Sequence, residues 1–295
     1  MMSLDPALIA KLEPLEVRAR RVVEGHVAGR HESPFRGFSI EFAEHRDYAP
    51  GDDLRYLDWK LHAKTDRFHL KQFEEETNFA AHLLLDVSES MSYRSESSAW
   101  SKLECGKTLA AATAHLVIRQ RDAAGLALFD REARSLLPPS SKATHLKEIF
   151  RTLESARAGA DTAVGPILHD LASRVTRRGL VIVFSDLFDD PSSVLRGLRH
   201  LAHRRHDVRI AQLVDPAEIE FPFDEPTRFL GMEGLPDLTV DTSGLRRAYR
   251  DEFESQRRTI ESGCRDMGAS YRLVRTDEPP DRVLAELLSA PRGRR

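Results

Sequence analysis

Cysteine is scarce in this chain: only Cys105 and Cys264 occur among its 295 residues. They lie too far apart for a Cys-x-x-Cys metal or redox motif, and two thiols do not form a disulfide framework. This sparse use of cysteine is typical of proteins in a reducing compartment, so we expect a cytoplasmic location.

Long apolar stretches and a strong net charge are also missing. No run approaches the ~18 apolar residues that a membrane-spanning helix needs, and the first thirty residues lack the apolar core of a signal peptide. The 44 Lys and Arg residues nearly balance the 47 Asp and Glu residues, which leaves a formal charge of −3. The chain therefore has no overall basic field for nucleic acid or for an anionic membrane, and we expect it to bind neither.

Common catalytic motifs are absent from the sequence. There is no Gly-x-Ser-x-Gly turn and no Gly-x-x-x-x-Gly-Lys-[Ser/Thr] phosphate loop. A phosphoryl-transfer aspartate at Asp86 would be followed two residues later by a second carboxylate, but that position is Ser88. No pattern places His82 or His169 beside Ser88 as a general base. We therefore expect a protein that is not an enzyme.

The chain does contain a regular alternation of apolar runs and amphipathic patterns. Its 41% hydrophobic and 31% charged residues are enough for a sizeable core. Apolar runs at 80–85, 124–129, 180–184 and 208–214 predict buried strands, and the helical patterns between them predict helices on both faces of the sheet. The predicted fold class is α/β, with a doubly wound, mostly parallel sheet. Further predicted elements are an antiparallel edge strand at 134–137, a last strand at 271–274, and helices at about 101–120, 142–156, 164–176, 191–204, 245–267 and from Asp281 onward.

Changes in texture along the chain suggest its division. Residues 1–78 are predicted to hold N-terminal helices, beginning at Asp5-Pro6, and a charged segment that ends in a strand within 68–79. Residues 79–290 form the predicted α/β domain. An insertion with two short strands interrupts that domain at 216–243, and residues 291–295 form a tail.

Oxygen-bearing side chains follow the first buried strand in the order Asp86, Ser88, Ser90. Ligands in open α/β sheets sit beyond the carboxyl ends of the strands, and the spacing by two can direct these side chains to one side of a tight loop. Thr162 precedes a predicted helix and Asp186 ends the third apolar run. Five such groups from three loops can meet around one small hard cation, Mg²⁺ or Mn²⁺, which prefers oxygen ligands.

This order of residues resembles the metal-ion-dependent adhesion site of von Willebrand factor A domains, and the succession of elements from about residue 79 to 290 resembles that fold. The resemblance implies that Ser88 and Ser90 bind the metal directly, that Thr162 binds directly or through water, and that Asp86 and Asp186 act through bridging waters. It leaves one coordination position for an acidic side chain of a partner protein. The family's loop is usually richer in glycine than the loop that contains Thr162. Asp161 is an alternative ligand to Thr162.

The segment before the sheet carries a long pattern of charged, aromatic, glycine and proline residues. These residues are Pro34, Gly37, Ser39, Glu41, Phe42, Glu44, Arg46, Tyr48, Pro50, Gly51, Asp52, Asp53, Arg55, Asp58, Trp59, Ala63 and Lys64. The pattern resembles that of the bacterial family called domain of unknown function 58, whose members join such a segment to a von Willebrand A-like domain. The resemblance implies an accessory protein for a MoxR-type AAA+ ATPase, acting in complex assembly or metal-centre maturation, with that ATPase or its client as partner.

Less specific interpretations stay open for each feature. Asp86, Ser88 and Ser90 also suit a helix start, since aspartate and serine favour N-caps and turns. The charged residues from Arg46 to Trp59 suit a structural clasp or a docking surface, and the basic run from Arg196 to Arg209 suits a solvated helix face. The principal hypothesis is a metal-dependent protein-interaction module; the alternatives are a phosphatase-like hydrolase and a metal-free structural adaptor.

Overall fold

The computed structural model describes residues 14–28, 41–47, 69–74, 80–159, 163–231 and 236–289. The chain divides into two compact units, one made of residues 1–34 with 80–295 and the other of residues 35–79. The sequence predicts a single N-terminal region at residues 1–78, whereas the described helix Leu15–Ala28 belongs to the unit that contains the sheet. The helix predicted from Asp5-Pro6 and the tail at 291–295 lie outside the described residues.

A six-stranded sheet forms the centre of the larger unit. Its strands are β3 (Ala80–Asp86), β4 (Ala123–Phe129), β5 (Ala133–Ser140), β6 (Leu180–Ser185), β7 (Asp207–Val214) and β10 (Ser270–Arg275). They lie in the order β10-β7-β6-β3-β4-β5. All neighbouring strands are parallel except β5, which runs antiparallel to β4 at one edge. The mostly parallel sheet and the antiparallel edge strand predicted from the sequence are thus confirmed.

Helices cover both faces of this sheet, as a doubly wound fold requires. The described helices are α1 (Leu15–Ala28), α2 (Lys102–Arg119), α3 (Ala143–Ser155), α4 (Val164–Arg174), α5 (Pro191–His203), α6 (Pro216–Glu220), α7 (Thr242–Asp266) and α8 (Pro280–Ser289). Helices α4, α5 and α7 pack together on one face of the sheet. Helix α2 covers the other face together with α3 and α8, and α1 packs on α2 and α8. None of the described helices is both long enough and apolar enough to cross a membrane.

The inserted region differs in part from the sequence prediction. It begins with the short helix α6, which the sequence analysis did not predict, and continues with the antiparallel pair β8 (Thr227–Phe229) and β9 (Leu238–Val240). Asp215 and Pro216 explain the helix, because an aspartate N-cap followed by proline at the first position is a helix start. Residues 232–235 of the connection between the two strands, including Gly234, lie outside the described residues.

The described residues of the smaller unit form two antiparallel strands. Strand β1 (Glu41–Asp47) pairs with β2 (His69–Glu74), with an irregularity in register between Phe42 and Glu44. Strand β2 falls inside the predicted 68–79 strand, but β1 was read only as part of the charged segment. Its sequence, EFAEHRD, has too few apolar residues to show the alternation of a strand.

Both faces of the sheet carry buried apolar side chains. Successive residues of each strand point to opposite faces, so each strand contributes side chains to both. Val181 and Val183 belong to a buried cluster that includes Leu168 of α4 and Val194 of α5. On the other face a Cβ added to Gly106 of α2 would lie 2.7 Å from a methyl carbon of Leu85. Helix α2 therefore packs closely against β3. This contact fixes the position of α2, whose first turn borders the carboxyl edge of the sheet.

Both cysteine thiols are buried within this fold. Cys105 of α2 is 2% exposed and Cys264 of α7 is fully buried. Burial raises the pKa of each thiol to about 12. Because the thiolate is the reactive form, both side chains are chemically quiet at neutral pH.

A buried histidine marks the amino end of the sheet, opposite the carboxyl edge. His82 of β3 is 6% exposed and its Nε2 lies 2.8 Å from the carbonyl oxygen of Arg177, which fits donation by a neutral ring. Burial lowers the pKa of His82 from 6.5 to about 4, and the nearby His206 adds to the decrease.

This histidine makes stability depend on pH. The unfolded chain binds a proton near pH 6.5 and the folded protein only near pH 4, so stability is retained above pH 6.5 and lost as the pH falls through this window. We expect a loss on the order of 3 kcal/mol by pH 4, from the free energy per pKa unit. Urea denaturation of the wild type and His82→Gln at several pH values measures it. If both proteins show the same slope between pH 6.5 and 4, the assignment is wrong.

Candidate metal site

Four buried aspartates mark the carboxyl edge of the sheet. Asp86 ends β3, while Asp130, Asp186 and Asp215 directly follow β4, β6 and β7. Each side chain is at most 2% exposed. Because these strands are parallel neighbours, their carboxyl ends share one edge, which is the position where ligands bind in open α/β sheets.

The side chain of Asp86 is held by the two strands that meet at the centre of this edge. Leu85 pairs with Phe184, so Asp86 lies beside Ser185. Asp86 Oδ1 accepts a hydrogen bond from the backbone N–H of Ser88 at 2.9 Å, and Oδ2 accepts one from Ser185 Oγ at 2.6 Å. Burial, together with the negative charge of Asp186, raises the pKa of Asp86 to about 7, although the hydrogen bonds from Ser185 and Ser88 act in the opposite direction. Neither hydrogen-bond donor is a cation.

Two hydroxyl groups meet just beyond Asp86. The Oγ atoms of Ser88 and Ser90 lie 3.1 Å apart. Ser88 is fully buried and immediately precedes a short 3₁₀ helix at Glu89–Ser92. The Asp-x-Ser-x-Ser spacing thus brings both hydroxyls to one side of the turn, as the sequence suggested, and Ser88 makes no side-chain capping bond to the 3₁₀ helix.

Asp186 contacts a buried lysine. Lys102 Nζ donates to Asp186 Oδ2 at 2.8 Å and to Glu218 Oε1 at 2.7 Å. The lysine side chain is 1% exposed. Burial alone would lower the pKa of Lys102, but the charges of Asp186 and Glu218 overcome it and raise the pKa above its ordinary value. Lys102 is therefore an ammonium ion at this edge.

Glu218 is itself fixed by the start of α6. Its Oε2 accepts a hydrogen bond from the backbone N–H of Asp215 at 2.7 Å, and the Asp215 side chain accepts one from Ala217 N at 2.9 Å, which together form a capping box. The other carboxylate oxygen of Asp215 accepts from Ser95 N at 3.0 Å. These bonds tie the loop after Ser90 to the end of β7.

Thr162 and its alternative Asp161 lie outside the described residues, so their assignment stays a prediction. The chain leading toward them is described up to Gly159, whose N–H donates to the carbonyl oxygen of Val87 at 2.7 Å. A Cβ on Gly159 would lie 2.7 Å from Asp130 Oδ2. This loop therefore passes against the turn that carries Ser88, three residues before Thr162.

The donor set can be compared with the needs of a small divalent cation. Oxygen ligands suit Mg²⁺ or Mn²⁺, and Ser88, Ser90, Asp86 and Asp186 supply two hydroxyls and two carboxylates at one edge. No group of three or more His, Cys, Asp or Glu side chains in the described part of the chain has a metal-binding arrangement, so a site here depends on the serine hydroxyls. The residues fit a magnesium-type ion, with Lys102 already balancing part of the charge of Asp186.

The sequence analysis missed five residues of this edge: Ser185, Lys102, Glu218, Asp130 and Asp215. Asp130 and Asp215 directly follow apolar runs, which is the same pattern that identified Asp186. Glu218 follows Asp215 by three residues, the spacing of a capping box. Lys102 has no comparable local pattern, because its partners lie 84 and 116 residues away.

The charged segment before the sheet is described only in part. Arg46 and Asp47 lie in β1, where they pair with Leu70 and His69. Residues 48–68, including Tyr48 and Trp59, lie outside the described residues, so the proposed clasp stays a prediction.

Several solved structures are similar to this chain. BatB, a conserved hypothetical protein from Bacteroides thetaiotaomicron, has 18% sequence identity and a TM-score of 0.49, with 72% of this chain and 97% of that chain covered. The SpRpn10 VWA domain has 14% identity and a TM-score of 0.40, with 74% and 97% covered.

Two sequence relatives cover different shares of the chain. The Uncharacterized protein Rv1480 of Mycobacterium tuberculosis is 27% identical over 280 residues, which cover 92% of this chain and 86% of the relative. The Uncharacterized protein YeaD of Bacillus subtilis is 27% identical over 147 residues, which cover 49% of this chain and 34% of that protein. The profile of the family described as "Protein of unknown function DUF58" matches residues 44–261, more than half of the 295-residue chain. The chain therefore belongs to the DUF58 family.

Proposed function

We propose that this protein is a non-catalytic, metal-dependent protein-interaction module that acts in the cytoplasm. The observation that carries the proposal is the 3.1 Å pair of hydroxyls from Ser88 and Ser90, which lies beside the buried carboxylate of Asp86 at the carboxyl edge of the sheet. This arrangement offers hydroxyl and carboxylate oxygens, and neither hydrogen-bond donor to Asp86 is a cation; oxygen ligands of this kind favour a small divalent cation.

In this proposal Ser88 and Ser90 hold Mg²⁺ or Mn²⁺, with Thr162 as a further ligand. Asp86 and Asp186 balance the charge of the ion, and the hydrogen bonds from Ser88 N and Ser185 Oγ keep the carboxylate of Asp86 oriented. The bound ion supplies a positive centre for an acidic side chain of a partner protein. By family resemblance, the partner is a MoxR-type AAA+ ATPase or its client protein, and the module assists complex assembly or metal-centre maturation.

A serine substitution tests the site. We expect Ser88→Ala to weaken Mn²⁺ binding roughly tenfold or more, since it removes one ligand from a small set. Isothermal titration calorimetry of the full chain measures the affinity. Ser92→Ala is the matched control, because Ser92 is an exposed serine in the same short segment.

The same variants test partner binding. A MoxR-type AAA+ ATPase encoded in the same genome serves as bait in a pull-down with Mg²⁺ and with EDTA. We expect capture by the wild type and Ser92→Ala in Mg²⁺ only, and weak capture by Ser88→Ala in both conditions. Equal capture of all three proteins in EDTA would contradict an ion-mediated contact.

A metal-free structural adaptor is the second candidate, and the ion pair between Lys102 and Asp186 favours it. The ammonium ion of Lys102 already compensates the charge of Asp186. A buried carboxylate needs such a partner when no metal ion is bound. In that case Mn²⁺ binding is absent and the partner is captured equally well in EDTA. The phosphatase-like alternative has no additional support from the geometry.

A further inference from the structure

Lys102 occupies an unfavourable local position for a lysine. It is the first residue of α2, where the helix dipole disfavours positive charge, and its side chain is almost completely buried. A neutral side chain would avoid both costs. Local preferences are broken most often at functional positions, so this lysine requires an explanation beyond the helix.

The surroundings of the ammonium group provide that explanation. Besides the carboxylates of Asp186 and Glu218, the rings of Tyr93 and Phe188 lie 5.9 and 5.8 Å from Nζ, within the range of cation–π attraction. All four groups favour positive charge at this point. The pocket is therefore built to hold a cation next to Asp186.

The two carboxylates differ in how they are held. Glu218 is fixed by its hydrogen bond from Asp215 N in the capping box. Asp186 accepts one hydrogen bond from Phe188 N through Oδ1, at 3.2 Å, and its Oδ2 bonds to Lys102. A buried ammonium ion without a carboxylate is costly. Glu218 allows Lys102 to release Asp186 and remain paired.

We infer that Lys102 is a resident cation that sets the metal affinity of this edge, because it competes for Asp186 while Glu218 remains its permanent partner. The inference rests on the proposed function and adds a regulatory residue that is not itself a ligand. Lys102 keeps the edge folded without metal and lowers its affinity for a divalent ion. Any change that moves the Lys102 ammonium group away from Asp186 and toward Glu218 then increases metal occupancy.

Two substitutions in this ion-pair group should change the affinity in opposite directions. Lys102→Met removes the competing charge, so we expect Mn²⁺ to bind roughly tenfold more tightly than in the wild type. Glu218→Gln keeps the shape and the capping oxygen but leaves Lys102 with Asp186 as its only carboxylate partner, so we expect binding several-fold weaker. Calorimetry with Mn²⁺ on the full chain, with circular dichroism to confirm folding, measures both.

A purely structural role for Lys102 predicts that Lys102→Met lowers stability without any gain in affinity. Equal affinity in Lys102→Met and the wild type overturns the inference and leaves the proposed function intact. Binding in Lys102→Met but not in the wild type supports the inference and counts against metal dependence of the natural protein. Absence of binding in all proteins overturns both. If Lys102→Met does not fold, Glu218→Gln decides, and an unchanged affinity there overturns the inference.

Discussion

Gly179→Ala should lower the free energy of unfolding by roughly 3 kcal/mol or more, at the upper end of the costs of overpacking. Gly179 directly precedes β6, and an added Cβ would lie 1.8 Å from the carbonyl oxygen of Ala80 at the start of β3. The carbonyl oxygen belongs to the backbone of β3, and a Cβ is attached directly to the backbone at position 179, so neither can move aside as the end of a flexible side chain would. The start of β6 must then separate from β3.

Urea denaturation measures this loss, with Gly244→Ala as the matched control. A Cβ at Gly244, in the first turn of α7, meets nothing within 4 Å. The control should be neutral or up to about 1 kcal/mol more stable, because alanine restricts the unfolded chain and favours the helix. Similar stability in both variants would show that the β3–β6 contact relaxes easily. Because β3 ends in Asp86 and Asp186 directly follows β6, the proposed function predicts that the variant also loses Mn²⁺ binding.

Phe184→Ala should cost about 3–5 kcal/mol, the range for deleting a buried phenylalanine side chain. Phe184 is fully buried in the central strand β6, two residues before Asp186. Its removal leaves a cavity directly behind the candidate site. The cost depends on how far the surrounding core can collapse into the cavity, which a closely packed parallel sheet limits.

Phe188→Ala serves as the comparison, since the same substitution is made four residues later on a side chain that is 55% exposed. We expect a loss below about 1 kcal/mol there, mainly from reduced contact with the ammonium group of Lys102. Chemical denaturation of both variants at constant pH provides the values. A cost for Phe184→Ala no larger than that for Phe188→Ala would be inconsistent with a closely packed core behind the edge.

The sheet could be predicted from sequence because its strands are strongly apolar and regularly spaced. Strand β3, Ala80–Asp86, is buried along its whole length and appears as an apolar run that contains one histidine, His82, and ends in aspartate. Strand β1 could not be recognised in this way, because its charged residues hide the period of two and its pairing with β2 depends on residues distant in sequence.

The candidate site was predictable only where its chemistry follows the chain. Asp86, Ser88 and Ser90 form a local pattern, and Asp186 follows an apolar run. Ser185 lies between that run and Asp186, and its hydroxyl reaches Asp86 only because β6 lies beside β3. A lysine at the start of an amphipathic helix is normally exposed, so no rule based on sequence spacing predicts the buried ion pair of Lys102.

Because Cys105 and Cys264 are buried, the carboxyl edge of the sheet can be labelled for spectroscopy without reaction at the native thiols. With both native thiols shielded and their pKa values raised to about 12, maleimide reagents select a cysteine introduced on the surface without prior removal of the natural ones. The exposed position of Phe188, beside Asp186 and above Lys102, then becomes an attachment point for a fluorophore or nitroxide. Such a label would respond to a paramagnetic ion such as Mn²⁺ or to a docking protein, and it would therefore follow in real time the binding events that the proposed function predicts.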